Sequence, residues 1–543
     1  MIKQVKIGVA VASVALGLMA PGAWAAPWIK AESEHFIIYS DNPEKETTAY
    51  LTRLEQYNYL LGVFYGLSAD DESVTPKQPL YFVQTAVEMR RTKPGLTNQA
   101  GGYFNTGCPE GQIGVAVNLG RMVETSDKAP TDSKALIDQG EDESQTTIFH
   151  EYAHSFMFHH TEANYPSWFV EGFAEYYGAT KMQGDQVVVG MPQLKQWYAL
   201  REGFGITYPD MLRSHKAIFD SQETSLGFYT RGWLLTHYLM SDPDRRKRFN
   251  DYIVAYDKGE DPVAAFERIM GITMKELPKL LDTYKDNALK ATVYRIGSMP
   301  VPKIAVSPMP ASAANLILLD ASVQNCPDSK TGPAILADIR REAAAFPNDD
   351  YARIALARAE NVIGDEAKAL PILKAYTAAH PDDAEAAFLL GQSWYLMTEH
   401  KTILAGETRE SQIGYARAAL IQAYKLDPKN APNLYYLSLA EKGQPGYPTD
   451  TAVDAASQAH ALAPSVPDYA LQAARLLLQT NHMPEAKEMM MTIASNPHLE
   501  EASKWASDII AAIDAGKSKD EVMKMLDTPI GGAKPATAKP DGK

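Results

Sequence analysis

Cysteine is almost absent from this chain, which has two cysteines among 543 residues. So few thiols exclude a disulfide-rich scaffold and a cysteine-based zinc module, because both depend on several closely spaced cysteines. Positive charge is also scarce: 52 Lys and Arg face 67 Asp and Glu, which gives a formal net charge of −15. This balance argues against a protein that binds nucleic acid or an anionic membrane, since both partners attract a cationic surface. Any metal site must therefore use histidine and carboxylate ligands.

The sequence also lacks a hydrophobic run long enough to span a membrane comfortably. The longest, residues 7–20, falls short of the about 20 apolar residues that a membrane helix needs. Lysines precede this run and the small residues Ala23 and Ala25 follow it, a pattern typical of a secretory signal peptide. We therefore expect residues 1–25 to be a signal peptide. The mature protein would be exported, periplasmic or secreted, with no integral membrane segment.

The two cysteines raise a separate question, because Cys108 and Cys326 fall in different predicted domains. In an oxidising compartment they could pair and join those domains. The alternative is two unrelated buried thiols. The sequence alone does not decide between them, since pairing depends on the distance between the two Cα atoms.

Residues 26–297 show a mixed pattern that favours an α+β domain. Short apolar segments predict three strands, at residues 35–40, 80–84 and 113–118. Apolar residues at helical spacing predict a helix over residues 47–67. From residue 145 to about residue 290 the pattern is mostly helical, apart from a β-like stretch at residues 186–190.

Prolines organise the C-terminal half of the chain. Residues 298–311 contain four prolines and predict a stiff linker between domains. Beyond the linker, prolines recur at about 34 residues, which is the period of tetratricopeptide repeats. An insertion near residues 400–412 explains the one longer interval. The prolines are Pro347, Pro381, Pro428, Pro464 and Pro497. We predict an all-α tetratricopeptide-like solenoid over residues 312–527, able to bind a protein partner, and a disordered tail over residues 528–543. The alternative is an irregular helical bundle.

His150 and His154 are four positions apart, and Glu151 follows the first of them. On a helix this spacing puts both imidazoles on one face, one turn apart, so that both can reach one metal ion. Glu151 is then placed to act on a water molecule as a general base, as in a zinc hydrolase. The alternative is a pair of structural histidines.

A second helix can supply the third protein ligand that a catalytic zinc needs beside its water. Pro166 and Ser167 predict the start of this helix, which carries Glu171 about one turn in and Glu175 on the same face. We assign Glu171 to the metal. Glu175 would accept a hydrogen bond from a ligating histidine and hold it in place. The rival assignment exchanges the two glutamates.

The two segments together resemble the gluzincin zinc metallopeptidases, in particular the peptidase MA-like domains. The resemblance rests on a His-Glu-x-x-His motif at residues 150–154 and a Trp-x-x-Glu-Gly-x-Ala motif at residues 168–174. It covers about residues 28–290. It implies a thermolysin-like α+β fold, with a small mixed sheet and active-site helices, and a single zinc ion per chain.

The resemblance also assigns roles to individual residues. The zinc ligands would be His150, His154 and Glu171, which favours the first of the two glutamate assignments. Glu151 would be the general base, and Glu175 would brace a zinc-bound histidine.

A third segment, Phe-Tyr-Thr-Arg-Gly at residues 228–232, resembles the Tyr-x-Lys-Gly segment of the zinc aminopeptidases. The resemblance nominates Tyr229 as a donor to the oxyanion of the reaction. A tyrosine packed in the core fits the same segment. No segment like Gly-Ala-Met-Glu-Asn of the exopeptidases is present in the sequence, which weakens an aminopeptidase assignment and leaves the substrate open. The predicted strand at 113–118 could be the edge strand to which a peptide substrate pairs.

These patterns predict an exported zinc peptidase that cleaves a protein or peptide substrate, with helical repeats that recruit the substrate or a partner. Two other functions fit the same sequence. One is a catalytically silent binding or assembly protein that acts through its repeats. The other is a zinc hydrolase of a different bond, such as an amide of the cell envelope.

Overall fold

A computed structural model describes residues 27–67, 75–96, 102–105, 108–117, 143–160, 164–203, 205–496 and 499–528. The predicted signal peptide lies outside these residues, as does almost all of the predicted tail. Across the described ranges, no helix has both the length and the apolar character that crossing a membrane requires.

Strands of the described residues form two sheets. They are β1 (Ile29–Glu32), β2 (Phe36–Ser40), β3 (Gln78–Val83), β4 (Gly102–Asn105), β5 (Ile113–Val117), β6 (Lys181–Gln183), β7 (Gln186–Val189), β8 (Thr292–Arg295) and β9 (Ala305–Pro308). The main sheet has the order β4-β5-β3-β2-β1-β9, and the second has the order β6-β7-β8. In the main sheet β2, β3 and β5 run parallel, and the other pairings are antiparallel. The predicted strands are thus present as β2, β3, β5 and β7.

The helices fall into two groups along the chain. The first group is α1 (Glu44–Tyr65), α2 (Ala86–Thr92), α3 (Glu143–His159), α4 (Ser167–Gly178), α5 (Leu194–Glu202), α6 (Tyr208–Arg213), α7 (Ala217–Asp220), α8 (Gln222–Met240), α9 (Pro243–Asp257), α10 (Pro262–Met270) and α11 (Leu277–Asn287). The second group is α12 (Ala313–Val323), α13 (Gly332–Ala344), α14 (Asp350–Ile363), α15 (Glu366–Ala379), α16 (Ala384–Glu399), α17 (Arg409–Leu426), α18 (Ala431–Ala440), α19 (Asp450–Leu462), α20 (Pro467–Gln479), α21 (Met483–Ala494), α22 (Glu500–Asp514) and α23 (Lys519–Leu526).

The main sheet is covered on both faces, because successive side chains of a strand point to opposite sides. On β3, Leu80 and Phe82 join a core that includes α1, α3, α4 and α8. Tyr81 and Val83 face the other way, into a core that includes α2 and α12. Helix α12, the first after the Pro-rich segment, therefore covers one face of the N-terminal sheet and is also the first helix of the repeats.

The Pro-rich segment differs from the predicted linker over residues 298–311. Its residues Ala305–Pro308 pair with β1 as an outer strand of the main sheet, with Pro308 opposite Ile29. Proline is tolerated there because an outer strand has one side whose N–H groups need no partner strand. The segment joins the two parts of the chain as a strand of the sheet.

The edge of the sheet also differs from the prediction. β5, expected at the edge, lies between β4 and β3, and β4 is the outer strand among the residues that the structure describes. The sequence did not indicate β4. This strand has only four residues and begins at Gly102, so its pattern of alternating apolar and polar residues is too short to recognise.

The second group of helices forms a helical repeat in which consecutive helices pack as pairs. The prolines used to predict the repeats fall between pairs: Pro347 before α14, Pro381 before α16, Pro428 before α18 and Pro464 before α20. Pro497 lies outside the described residues. The longer interval arises from the connection between α16 and α17.

A disulfide bond ties the repeats to the N-terminal domain. It joins Cys108, between β4 and β5, to Cys326, just after α12, with the two Cα atoms 5.8 Å apart. Of the two alternatives left open by the sequence, the structure has the paired cysteines.

Helices α4 and α8 cross with their backbones in direct contact. A Cβ atom added at Gly172 on α4 would lie 2.6 Å from the carbonyl oxygen of Gly232 on α8. One added at Gly232 would lie 2.8 Å from the carbonyl oxygen of Trp168. Both distances are shorter than any real contact of this kind, so this crossing requires glycine on both helices.

We expect Gly172→Ala to destabilise the protein by about 1–3 kcal/mol, because the added methyl group must push two backbones apart. Gly414→Ala is the matched control: Gly414 is exposed on α17 and an added Cβ meets no atom within 4 Å. That substitution should stabilise its helix by up to about 1 kcal/mol. Urea denaturation of the full chain measures both, and a Gly172→Ala variant as stable as wild type would contradict the crossing described here.

Candidate metal centre

Helix α3, which carries both histidines, is fixed in rotation by contacts with α1. The rings of Tyr57 and Phe149 stack with their centroids 3.9 Å apart. The Tyr57 hydroxyl donates to the carbonyl oxygen of Phe149 at 3.1 Å. The Tyr152 hydroxyl donates to Oδ1 of Asn58 at 2.7 Å. These contacts hold one face of α3 against α1 and leave His150 and His154 to face α4.

Helix α4 brings a carboxylate to these histidines. It begins after Pro166 and is buried along nearly its whole length, since its residues are predominantly aromatic and aliphatic. Near its end, a Cβ added at Gly178 would lie 3.1 Å from Cβ of His150, so glycine permits the close approach of α4 and α3. One turn inside α4, the side chain of Glu171 is fully buried.

Three atoms of His150, His154 and Glu171 form a compact triangle. The two imidazole Nε2 atoms are 3.1 Å apart. Oε2 of Glu171 lies 3.4 Å from each of them. Zinc bonds of about 2.0–2.2 Å in tetrahedral geometry separate ligand atoms by ~3.3 Å. The donor set and its spacing therefore fit a zinc ion, and the three side chains are a group able to hold a metal.

Glu175 lies behind His150, on the side away from the triangle. Its Oε1 is 3.7 Å from Nδ1 of His150. Gln193 and Gln196 donate to its Oε2 at 2.9 and 2.7 Å, and Lys195 donates to its Oε1 at 3.1 Å. Three donors thus fix a buried carboxylate beside the Nδ1 side of the His150 ring.

The charges around His150 act on its protonation. Burial alone lowers the pKa of His150, but the carboxylates of Glu171, Glu175 and Glu151 outweigh burial and raise the pKa above its usual value. The nearby carboxylates thus make His150 bind a proton more readily than a free histidine does. Because a histidine ligates a metal only when neutral, protons and a metal ion would compete for His150.

Tyr229 reaches the same site from α8. Its ring centroid is 6.3 Å from that of His150. The glycine contact between α4 and α8 lies three residues further along α8, at Gly232. This contact sets the distance between the two helices, and therefore how closely Tyr229 approaches the residues of α4. Burial, and then the carboxylates of Glu171 and Glu151, raise the pKa of Tyr229 well above its usual value. The phenol therefore keeps its proton and can act as a hydrogen-bond donor.

Glu151 is half-buried and next to the triangle. Its carboxylate is close enough to raise the pKa of both His150 and Tyr229. The structure thus brings together all six residues that the sequence nominated: His150, Glu151, His154, Glu171, Glu175 and Tyr229.

Several side chains at the site were not indicated by the sequence. The donors to Glu175 come from residues 193–196, in and just before α5, where no motif marks them. Lys93, at the end of α2, places its Nζ atom 5.1 Å from the centre of the Tyr103 ring. Burial lowers the pKa of Lys93, and Glu151 partly reverses that effect. Lys93 is therefore near enough to Glu151 to interact with its carboxylate.

Comparison with known proteins gives limited further information. A family described as "Protein of unknown function (DUF1570)" matches residues 144–262, a segment that contains the six site residues. No curated protein matches the chain. Among solved structures, a thermophilic TPR protein from Thermus thermophilus is 22% identical and covers 36% of this chain and 98% of its own, with a TM-score of 0.30. This chain is thus similar over residues 144–262 to a family whose description states no activity.

Proposed function

We propose that the protein is a zinc-dependent hydrolase of peptide bonds. The observation that carries this proposal is the triangle of His150 Nε2, His154 Nε2 and Glu171 Oε2, with sides of 3.1, 3.4 and 3.4 Å. Three protein ligands beside a half-buried glutamate and a protonated tyrosine make a site suited to catalysis, since a structural zinc site has four protein ligands.

Each residue of the site has a part in the proposed reaction. Zinc, when bound, supplies a Lewis acid that lowers the pKa of water and polarises a carbonyl group. Glu151 accepts a proton from the attacking water and returns it to the leaving amine. Tyr229 donates a hydrogen bond to the oxygen that gains negative charge. Glu175 holds His150 in orientation throughout.

The proposed substrate is a protein or peptide in an extended conformation. β4 is the outer strand of the main sheet and packs near α3, where Gly102 lies close to Ile148. An extended peptide can pair with such an edge through backbone hydrogen bonds. Pairing there would carry its backbone past the metal triangle.

We also propose that the protein is exported. The disulfide between Cys108 and Cys326 supports this proposal, because disulfides persist mainly in oxidising compartments. The signal-like segment at residues 1–25 supports it independently.

Metal analysis tests the cofactor directly. We expect about one zinc per chain in wild type and none in Glu171→Gln, because a neutral amide is a poor ligand for zinc. Glu175→Gln is the matched control. This variant loses a carboxylate that lies behind the ligand His150, so it should still bind zinc, with about 10- to 100-fold weaker affinity. Affinity should fall as the pH is lowered, since a proton on His150 competes with the metal. Equal zinc content in Glu171→Gln and wild type would remove Glu171 from the ligand set.

The Glu151→Gln substitution tests the general base. We expect kcat for peptide hydrolysis to fall by about 10²–10⁴-fold with zinc content unchanged, because the amide cannot accept the proton of the attacking water. The newly formed peptide ends, identified by mass spectrometry of a peptide mixture, measure this loss. Full activity in Glu151→Gln would exclude Glu151 as the base.

The Tyr229→Phe substitution tests the oxyanion donor. We expect kcat to fall by about 10²-fold with KM little changed, because the hydroxyl acts on charge that develops in the transition state. Tyr238→Phe on the same helix is the control, since its ring packs against Tyr284 rather than at the metal triangle. Similar activities for the two variants would assign Tyr229 to the core.

A further inference from the structure

The connection between β4 and β5 lies against the repeats. Cys108 is bonded to Cys326, and the side chain of Glu110 accepts two hydrogen bonds from repeat helices. The Tyr436 hydroxyl donates to Oε1 of Glu110 at 2.8 Å, and Nε2 of Gln392 donates to its Oε2 at 2.6 Å. A carboxylate of the N-terminal domain is therefore held by α16 and α18.

The next pair of helices binds the same connection. The Tyr469 hydroxyl, on α20, donates to the carbonyl oxygen of Pro109 at 2.7 Å. Nε2 of Gln112 donates to Oγ of Ser465, just before α20, at 2.9 Å. Three successive repeat pairs thus contribute to one surface, and residues 108–112 of the chain itself occupy it.

The turn that precedes α20 also contacts the helix of the metal ligands. His159, the last residue of α3, has Nε2 3.0 Å from the carbonyl oxygen of Leu462. Its Nδ1 is 2.7 Å from the carbonyl oxygen of Ser155. Residues 462–469 of the repeats therefore touch two separate parts of the N-terminal domain: the end of α3, which carries the candidate metal ligands, and residues 108–112, which lead into β5.

The position of Glu110 depends on its donors. Burial raises the pKa of the Glu110 carboxyl, and the hydrogen bonds from Tyr436 and Gln392 oppose that rise. A buried carboxyl group without such donors is costly, because it has given up its hydration. Loss of a donor should therefore loosen residues 108–112 from the repeats.

We propose that Tyr436 and residues 462–469 act together as a brace that fixes the spacing between α3 and residues 108–112, which connect to β5 and so to the outer strand β4. Tyr436 and Tyr469 are then positioning residues. The inference rests on the proposed function in one respect, namely that an extended peptide pairs with β4. The chain's own residues 108–112 occupy the repeat surface formed by Gln392, Tyr436 and Tyr469. This surface therefore does not bind the substrate directly. The repeats instead influence substrate binding by holding the outer strand of the sheet in position.

The test compares the full chain with the double variant Tyr436→Phe/Tyr469→Phe. Phenylalanine keeps both rings and removes only the hydroxyls that hold Glu110 and Pro109. Tyr376→Phe is the matched control, because its hydroxyl bonds to Asp383 within the repeats, at 3.2 Å. Hydrogen exchange of the amides of β4 and β5 reports the brace without reference to activity.

We expect exchange in β4 and β5 to become about tenfold faster in the double variant, since two hydrogen bonds to a buried segment are lost. KM for a peptide should rise several-fold, with kcat and zinc content retained. The control should change neither quantity. If hydrogen exchange in β4 and β5 of the double variant equals that of wild type, residues 108–112 are not held by the brace. If exchange is faster but KM is unchanged, the brace exists but does not affect substrate binding. A wild-type chain that cleaves no peptide would count against the proposed function instead, and exchange alone would then decide whether the brace exists.

Discussion

The proposed metal centre depends on a fully buried carboxylate that lies between two imidazoles. Glu171 has no exposed side-chain surface, and its Oε2 lies 3.4 Å from Nε2 of both histidines. A buried carboxylate is stable only when charged or hydrogen-bonding groups compensate for its lost hydration. The tight contacts around it follow from this constraint, because three helices must approach closely enough to bring those groups together. Gly178 allows α4 to meet α3, and Gly172 allows α4 to meet α8.

The two parts of the chain form a continuous structure. Helix α12 covers one face of the main sheet, and β9 extends the sheet from within the Pro-rich segment. The disulfide and the hydrogen bonds of Glu110 add further links between the repeats and the β4–β5 connection. Helix α3, which carries the two histidines of the proposed metal centre, is therefore supported by α1 along one face and by the repeats at its C-terminal end.

Sequence patterns predicted those features that depend on local spacing. The four-residue separation of His150 and His154, the alternation in β2 and β3, and the prolines between repeat pairs are all visible within one element. Features that depend on distant contacts were missed or left open. The donors that hold Glu175 lie 18–21 residues away on another element, and Glu110 meets its partners 282 and 326 residues away. The linker prediction was wrong in part for the same reason, since strand pairing with β1 decides the structure of Ala305–Pro308.

In the proposed function, His150, His154 and Glu171 bind one zinc ion together. X-ray absorption at the zinc edge, on the zinc-loaded full chain, measures the ligands directly. We expect two imidazole nitrogens and carboxylate or water oxygens at about 2.0–2.2 Å from the zinc, without sulfur. In a His150→Ala/His154→Ala chain the imidazole signal should be lost. Zinc coordinated without imidazole in wild type, or an identical spectrum in that double variant, would contradict the account.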